Sequence, residues 1–346
     1  MDRRAFLLTL PASATLAACA STSGRDGGSL SEDFVIAGGD ADVRLFLHNK
    51  RARLSDARAR PERTVLFVHG LTYPGSAAFD LPLGGRSWMD DLAQNGFDTW
   101  CVDVRGFGRS TRPALMEQPP HANAPWLDAA TATTDVAAAV HFIQRQRGLP
   151  RIVIIGWSWG TVLSARFAAA EPSSVERLVL YAPVWRWRGD AQPPKAPPGA
   201  YRQVTRDMAR RVWLNGVPSD QQAALIPAGW FDQWADANWA TDPLGASAHP
   251  PTLRAPNGPL AEVIAHWVDE RPMFEPGGIV APTLVTVAEW DSTTPPCMAR
   301  ELQPLLVNAK PSRLAVIPAG THQVFLERNR DALFDVVRRW LMGGDV

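Results

Sequence analysis

The pentapeptide Gly-Trp-Ser-Trp-Gly, at residues 156–160, places a serine between two tryptophans and two glycines. An aliphatic run, residues 152–155, precedes it, and an alanine-rich stretch with helical composition, residues 161–170, follows it. This order predicts a strand, a tight turn and a helix, with Ser158 at the turn. Glycines are expected on both sides of the serine if a Cβ atom would clash where the strand and the helix come close. The serine hydroxyl would then stand clear of the sheet, at the N-terminus of a helix.

Strand and helix patterns alternate along much of the chain, which predicts a mostly parallel α/β sheet. Two short runs near the start, residues 34–36 and 43–47, predict a pair of early strands, and the alternating pattern of the second predicts the edge of the sheet. Apolar runs typical of buried strands lie at residues 64–68, 97–104, 152–155, 177–181, 283–287 and 313–317, and helical patterns lie at 88–95, 128–147, 161–170 and 330–341.

The alternation breaks at Trp185. Residues 185–275 are rich in proline and tryptophan, with helical patterns near 202–213, 218–224 and 260–269 and no run typical of a buried strand. This segment, called the cap below, is therefore predicted to be a mostly helical insertion. The flanking residues, 32–184 and 276–346, are predicted to form one α/β core.

The first residues have the pattern of an export signal. Arg3 and Arg4 precede a short apolar stretch, too short to span a membrane, so residues 1–19 are predicted to be a signal. The segment 3–7 resembles the twin-arginine core of bacterial export signals, and 16–19 resembles a lipobox. The resemblance implies lipidation of Cys19 and a membrane anchor at the periplasmic or cell-envelope face, whereas plain cleavage after small residues is the alternative. Residues 20–31 are predicted to be a flexible tether.

Composition excludes several classes of function. Lys plus Arg and Asp plus Glu number 35 each, which does not favour a nucleic-acid partner. The chain contains neither a C-x-x-C nor an H-E-x-x-H spacing, so neither a metal site nor a cofactor is predicted. Besides Cys19, only Cys101 and Cys297 remain, and both are predicted to be unpaired thiols.

Two residues after later strands complete a possible reactive site with Ser158. A serine hydroxyl needs a base to become a nucleophile, and the base needs a carboxylate that orients it. Asp291 and His322 each follow a predicted strand, and groups at the carboxyl ends of such strands converge. Glu289 is a rival acid, but it would lie at the end of the strand itself, so Asp291 is preferred. The structural alternatives are a helix cap for Ser158 and a turn residue for Asp291.

A developing oxyanion also needs hydrogen-bond donors. The backbone N–H of Trp159, directly after the serine, is one candidate. The other is the N–H of Leu71, which follows His69 and Gly70 at the end of an apolar strand. The alternative for this segment is an ordinary turn that ends a strand.

Together these motifs resemble the α/β-hydrolase superfamily over about residues 32–184 and 276–346. The resemblance implies an eight-stranded, mostly parallel sheet with a cap inserted after the sixth strand, and a serine nucleophile argues against a haloalkane dehalogenase. Ala288 departs from the glycine of the G-x-x-D motif that many relatives carry. The matching pieces are 68–70, 103–110, 156–160, Asp291 with Pro295, and His322 with 325–327.

The tryptophans of the cap predict an apolar pocket, for which Trp157, Trp185 and Trp187 are the candidate lining residues, although a core of the cap itself would explain many of the others. The leading hypothesis is a serine hydrolase that cleaves carboxylic esters of apolar small molecules or lipids. A peptidase resembling the proline iminopeptidases is the second, and a non-catalytic binding lipoprotein is the third. The acidic residues of the cap that could bind a substrate amino group are Glu262, Asp269 and Glu270.

Overall fold

The computed structural model describes residues 28–53, 59–187 and 193–346. The strands are β1 (Ser29–Ala37), β2 (Arg44–Ala52), β3 (Thr64–Val68), β4 (Asp98–Asp103), β5 (Ile152–Trp157), β6 (Val175–Tyr181), β7 (Tyr201–Val204), β8 (Leu253–Pro256), β9 (Thr283–Ala288) and β10 (Ser312–Ile317). The α-helices are α1 (Gly75–Phe79), α2 (Trp88–Gln94), α3 (Ala129–Arg147), α4 (Trp159–Ala170), α5 (Arg206–Leu214), α6 (Gln222–Leu225), α7 (Trp230–Trp239), α8 (Pro243–Ala246), α9 (Gly258–Val268), α10 (Pro296–Leu302) and α11 (Arg330–Leu341).

Eight strands form one sheet in the order β1-β2-β4-β3-β5-β6-β9-β10. β1 and β2 are antiparallel to their neighbours, and all the other pairs are parallel. The prediction of a mostly parallel α/β sheet is thereby confirmed. The prediction that the second strand forms the sheet edge is wrong, because β1 pairs along the whole length of β2 and covers it.

Helices cover both faces of the sheet. On one face, α3 and α4 pack their small and aliphatic side chains against the central strands. On the other face, α1, α2 and α11 bury large aromatic side chains, and Trp88 stacks on Phe334 with ring centroids 5.4 Å apart. β3 and β5 are buried along their whole length, which explains their continuous apolar sequences. The candidate site lies at the carboxyl ends of these buried strands.

The cap contains a small sheet that the sequence analysis did not predict. β7 and β8 pair antiparallel, from Tyr201 opposite Pro256 to Val204 opposite Leu253, so the segment predicted to be mostly helical also contains two short strands beside its helices α5 to α9. Four-residue strands need no long apolar run, because one pairing partner and a few buried positions hold them. Three of the cap tryptophans, Trp213, Trp234 and Trp239, are buried with Phe231 in a core of the cap itself.

The predicted export signal, residues 1–19 with Cys19, lies outside the described residues. The prediction of a flexible tether over residues 20–31 is wrong for residues 29–31. These residues belong to β1, where backbone pairing with β2 orders them. None of the described helices is both long and apolar enough to cross a bilayer. Cys101 is buried, Cys297 is exposed, and both are free thiols.

Candidate active site

The turn between β5 and α4 holds Ser158 in an unusual backbone conformation. Its φ of 57° and ψ of −123° lie in a region that non-glycine residues rarely occupy. Such a conformation costs on the order of 1–3 kcal/mol and persists only where the surrounding structure imposes it. The Ser158 N–H donates to the carbonyl of Tyr181 at 2.9 Å, and the Ser158 carbonyl accepts from the N–H of Thr161 at 2.8 Å. These bonds fix the serine between the sheet and the first turn of α4.

Gly156 and Gly160 are where the chain approaches itself most closely around this turn. A Cβ atom on Gly156 would lie 2.4 Å from the carbonyl oxygen of Gly160. One on Gly160 would lie 2.2 Å from the carbonyl oxygen of Val68, at the end of β3. The strand and the helix can therefore meet here only through glycine, as the pentapeptide indicated.

His322 and Asp291 are in direct contact. The Nδ1 of His322 lies 2.7 Å from Oδ2 of Asp291. The other carboxylate oxygen accepts the N–H groups of Thr293 and Thr294 at 2.9 and 2.8 Å, so Asp291 is at once a turn residue and the partner of the histidine. An ionised Asp291 holds the imidazole proton on Nδ1, which leaves the lone pair of Nε2 free to accept a proton. The carboxylate of Glu289 instead accepts the N–H of Ala319 at 2.9 Å.

The loop that carries His322 is held by side chains from two other strands. The indole N–H of Trp157 donates to the carbonyl of His322 at 3.0 Å, and the hydroxyl of Tyr181 donates to the same oxygen at 2.8 Å. Sequence reasoning missed Tyr181, because no local signal marks a bond between residues 141 positions apart. Trp157 neighbours Ser158, but its sequence position likewise did not indicate this bond.

Glu327 connects the loop that carries His322 to the cap through hydrogen bonds. It accepts the indole N–H of Trp213 in α5 at 2.8 Å, and it also accepts the N–H of Thr321 at 3.1 Å and the hydroxyl of the same threonine. Burial raises the pKa of Glu327 to about 7, although the hydrogen bonds from Thr321 act in the opposite direction. Thr321, directly before His322, is therefore held by the carboxyl group of Glu327, whose charge changes near neutral pH.

The loop after β3 presents the N–H of Leu71. Nδ1 of the His69 side chain donates to the carbonyl of Gly70 at 2.6 Å, while Nε2 accepts the N–H of Val104 at 3.0 Å. Burial lowers the pKa of His69 to about 4, so the ring is neutral at pH 7. The Gly70 carbonyl and the Leu71 N–H belong to one planar peptide and point in opposite directions, so the His69 bond sets the direction of that N–H. Within the described part of the chain, neither this N–H nor that of Trp159 donates to a protein acceptor.

A cavity of about 310 Å³ opens beside Ser158 and His322. The two residues line it together, although their side chains form no hydrogen bond to each other in the described structure; such bonds are often long without substrate. The other lining residues are mostly apolar and come from the end of β5, the segment after β6, the cap, and the loops at Leu71, Thr293 and His322: Gly70, Leu71, Thr72, Tyr73, Trp157, Val184, Arg202, Val204, Met208, Ala209, Val212, Leu260, Val263, Trp267, Thr293, Thr294 and Gln323.

Two of the three predicted lining tryptophans do not line this cavity. Trp157 does line it. Trp185 is buried against Phe274, and Trp187 packs on Trp267 with ring centroids 5.0 Å apart. Trp267 lines the cavity instead, together with Leu260 and Val263 from the same helix, α9. The ring of Trp159, next to Ser158 on its other side, is fully buried.

A family model described as the alpha/beta hydrolase fold matches residues 63–329. The chain belongs to the α/β-hydrolase family. Among curated proteins, an AB hydrolase superfamily protein, YisY, of Bacillus subtilis (strain 168) is 28% identical over 155 residues. That match covers 42% of this chain and 46% of the relative, so it spans about half the length of the curated relative.

Solved α/β-hydrolase structures resemble this chain over most of its length. An esterase from Thermogutta terrifontis has a TM-score of 0.54 at 18% identity, covering 90% of this chain and 98% of its own. A serine hydrolase from the polyaromatic hydrocarbon-degrading bacterium Cycloclasticus zankles has a TM-score of 0.57 at 17% identity, with coverages of 90% and 98%. A meta-cleavage product hydrolase from Pseudomonas fluorescens IP01 has a TM-score of 0.58 at 13% identity, with coverages of 89% and 97%. At these identities the likeness shows the fold of this α/β-hydrolase.

Proposed function

We propose that this chain is a serine hydrolase that cleaves carboxylic esters of small apolar molecules or lipids through an acyl-enzyme intermediate. His322, which contacts Asp291 and lines the same cavity as the strained Ser158, carries the proposal. A volume of about 310 Å³ lies at the lower end of the range for small-molecule pockets and suits a short acyl group.

Each part has a role in the proposed mechanism. Nε2 of His322 takes the proton of the Ser158 hydroxyl as Oγ bonds to the carbonyl carbon, and Asp291 stabilises the resulting imidazolium. The N–H groups of Leu71 and Trp159 donate to the oxyanion, and one such donor contributes about 3 kcal/mol to lowering the barrier. His322 then returns the proton to the departing alcohol. Water, activated by the same histidine, releases the acid and restores Ser158.

Labelling with a fluorophosphonate tests the nucleophile. Wild-type protein should be labelled and the Ser158→Ala variant should not. Hydrolysis of p-nitrophenyl acetate, butyrate and octanoate should be lost in the same variant. An unlabelled wild-type protein with normal folding, judged by circular dichroism, would support the binding-lipoprotein alternative instead.

The peptidase alternative has less support from the cavity. None of the described residues that line it is acidic, and Arg202 would repel a substrate ammonium group. Glu262 accepts the N–H of Ala129 at 2.7 Å, and Asp269 pairs with Arg271. Neither these two nor Glu270 is among the lining residues. Faster cleavage of proline β-naphthylamide than of every ester in the panel would overturn the esterase proposal.

We also propose export and lipidation at Cys19, on the strength of the sequence pattern. Mass spectrometry of the membrane fraction from wild-type cells and from cells that express Cys19→Ser tests this. A diacylglyceryl-modified N-terminus in the wild type alone is the expected result, and an unmodified wild-type N-terminus contradicts it.

A further inference from the structure

Arg202 brings a positive charge to an otherwise apolar cavity. It lies in β7 of the cap and is the one lining residue in the described chain that carries a permanent charge. Nη2 donates to the carbonyl of Leu71 at 2.6 Å and to the hydroxyl of Thr72 at 2.7 Å. Nη1 donates to the carbonyl of Pro256 at 2.7 Å. The guanidinium group therefore lies against the loop that presents a candidate oxyanion donor.

In the described structure, this arginine has no carboxylate partner. Of the three buried arginines of the described structure, two have one: Arg105 pairs with Asp135, and Arg254 pairs with Asp242, both at 2.6 Å. The third, Arg330, donates to the Leu83 carbonyl and lies over the ring of Trp230. Arg202 contacts only neutral oxygens. Burial lowers its pKa to about 10, so it stays protonated at neutral pH. A charge withdrawn from water without a counter-ion is costly, and the cost is relieved when an anion binds.

Part of the donor capacity of Arg202 is unused. A guanidinium has five N–H groups, and three of them donate to the acceptors already named. Nε–H and one N–H of Nη1 have no protein acceptor among the described residues. The two groups lie on different sides of the guanidinium, so a carboxylate would accept from one of them, and such a charge-assisted bond is stronger than a neutral one.

We propose that Arg202 binds a carboxylate carried by the ester substrate, so that the preferred substrates are monoesters of short dicarboxylic acids or esters of similar charge. The inference rests on the proposed ester hydrolysis and specifies its substrate class. Because the guanidinium contacts Leu71, whose N–H faces the reacting carbonyl in that mechanism, the carboxylate lies only a few carbons from the ester. The apolar lining then accommodates the remainder of the molecule.

The test compares two p-nitrophenyl esters of matched shape. The hydrogen glutarate ester ends in a carboxylate, and the 5-methylhexanoate ester ends in an isopropyl group of the same outline. Wild-type protein should have the higher kcat/KM for the glutarate ester. In Arg202→Met, that value should fall by about 10- to 100-fold more than the value for the neutral ester, chiefly through KM. Arg202→Lys should retain part of the preference, because it keeps the charge.

Arg211→Met is the matched control, since Arg211 is exposed on α5 and does not line the cavity. It should leave the ratio between the two esters unchanged. An equal loss on both esters in Arg202→Met would show that the arginine only fastens the cap to the loop, and a wild-type preference for the neutral ester would also overturn the proposal.

Calorimetric titration with glutarate separates this inference from the proposed function. Wild-type protein and Ser158→Ala should bind glutarate, and Arg202→Met should not. If no ester is hydrolysed but glutarate binds with this pattern, the catalytic proposal fails and the anion site stands. If esters are hydrolysed without a preference for the carboxylate and glutarate does not bind, only the inference about Arg202 fails.

Discussion

Replacement of Gly160 by alanine would test the close approach of strand and helix on which the candidate site depends. A Cβ at this position would lie 2.2 Å from the Val68 carbonyl oxygen and 2.7 Å from that of His69. Real Cβ atoms do not come closer than 3.0 Å to such atoms, so α4 and the end of β3 would have to separate by about 0.8 Å. Both obstacles are backbone atoms in the middle of the fold, and no side-chain rotation can remove them.

The cost of this separation follows from overpacking a dense interior. Extra methyl groups in such places destabilise by about 1–3 kcal/mol, partly offset here by about 1 kcal/mol because alanine favours a helix. We expect Gly160→Ala to lower the free energy of unfolding by about 1 kcal/mol. It should lower kcat for p-nitrophenyl butyrate by about 100-fold, because a shift near 1 Å misplaces Ser158 relative to the Leu71 N–H.

Gly277→Ala is the control, because a Cβ there meets nothing within 4 Å and its backbone angle is not of the kind that requires glycine. Urea unfolding, followed by tryptophan fluorescence, and initial rates of ester hydrolysis give the two readouts. Gly277→Ala should match the wild type in both. Wild-type stability and activity in Gly160→Ala would refute the argument, and the result on stability does not depend on which substrate is natural.

Three further predictions follow from the geometry. Asp291→Asn should reduce kcat by about 10⁴-fold by disturbing the His322 tautomer, and Glu289→Gln should leave it unchanged; equal losses on p-nitrophenyl butyrate would contradict the assignment of the acid. Ser158→Gly should be more stable than Ser158→Ala by about 1 kcal/mol in urea unfolding, because glycine relieves the strain at φ 57°; equal midpoints would argue against strain. The unfolded chain releases the Glu327 proton near pH 4.5 and the folded chain near pH 7. Stability should therefore fall between these values by up to about 3 kcal/mol as pH rises, and Glu327→Gln should flatten that profile.

Much of the core could be predicted from the sequence, because strands that are buried on both faces of a sheet need continuous apolar runs that are easily recognised. β3 and α11 have the predicted bounds, since continuous apolar residues or a helical apolar stripe occur nowhere else nearby. β7 could not be predicted in this way. Its four residues include Arg202 between buried positions, and its partner β8 lies about fifty residues further on, so nothing local distinguishes it from the start of a helix.

For the candidate site, chain order and strand ends were sufficient to choose Asp291 and His322, which the structure brings into contact. The sequence could not show which tryptophans line the cavity, because the same bulky apolar side chain fits a core and a pocket equally well. Trp185 packs against Phe274, whereas Trp267 in α9 lines the cavity. This difference depends on how α9 packs. The unpaired charge of Arg202 could not be recognised either, because it depends on which residues surround the guanidinium in space.

The loop at Leu71 is attached at two points of different origin. His69, from the core, holds the peptide before it, and Arg202, from the cap, holds its carbonyl. The cap is therefore not an interchangeable module for this protein. A transplanted cap that lacks a donor in the place of Arg202 would bring a new pocket lining but leave the Leu71 carbonyl without this hydrogen bond. Such a chimera would have a less ordered oxyanion loop even with every reacting side chain intact. When such chimeras are selected for activity, the first substitution to arise should supply a new hydrogen-bond donor to the Leu71 carbonyl.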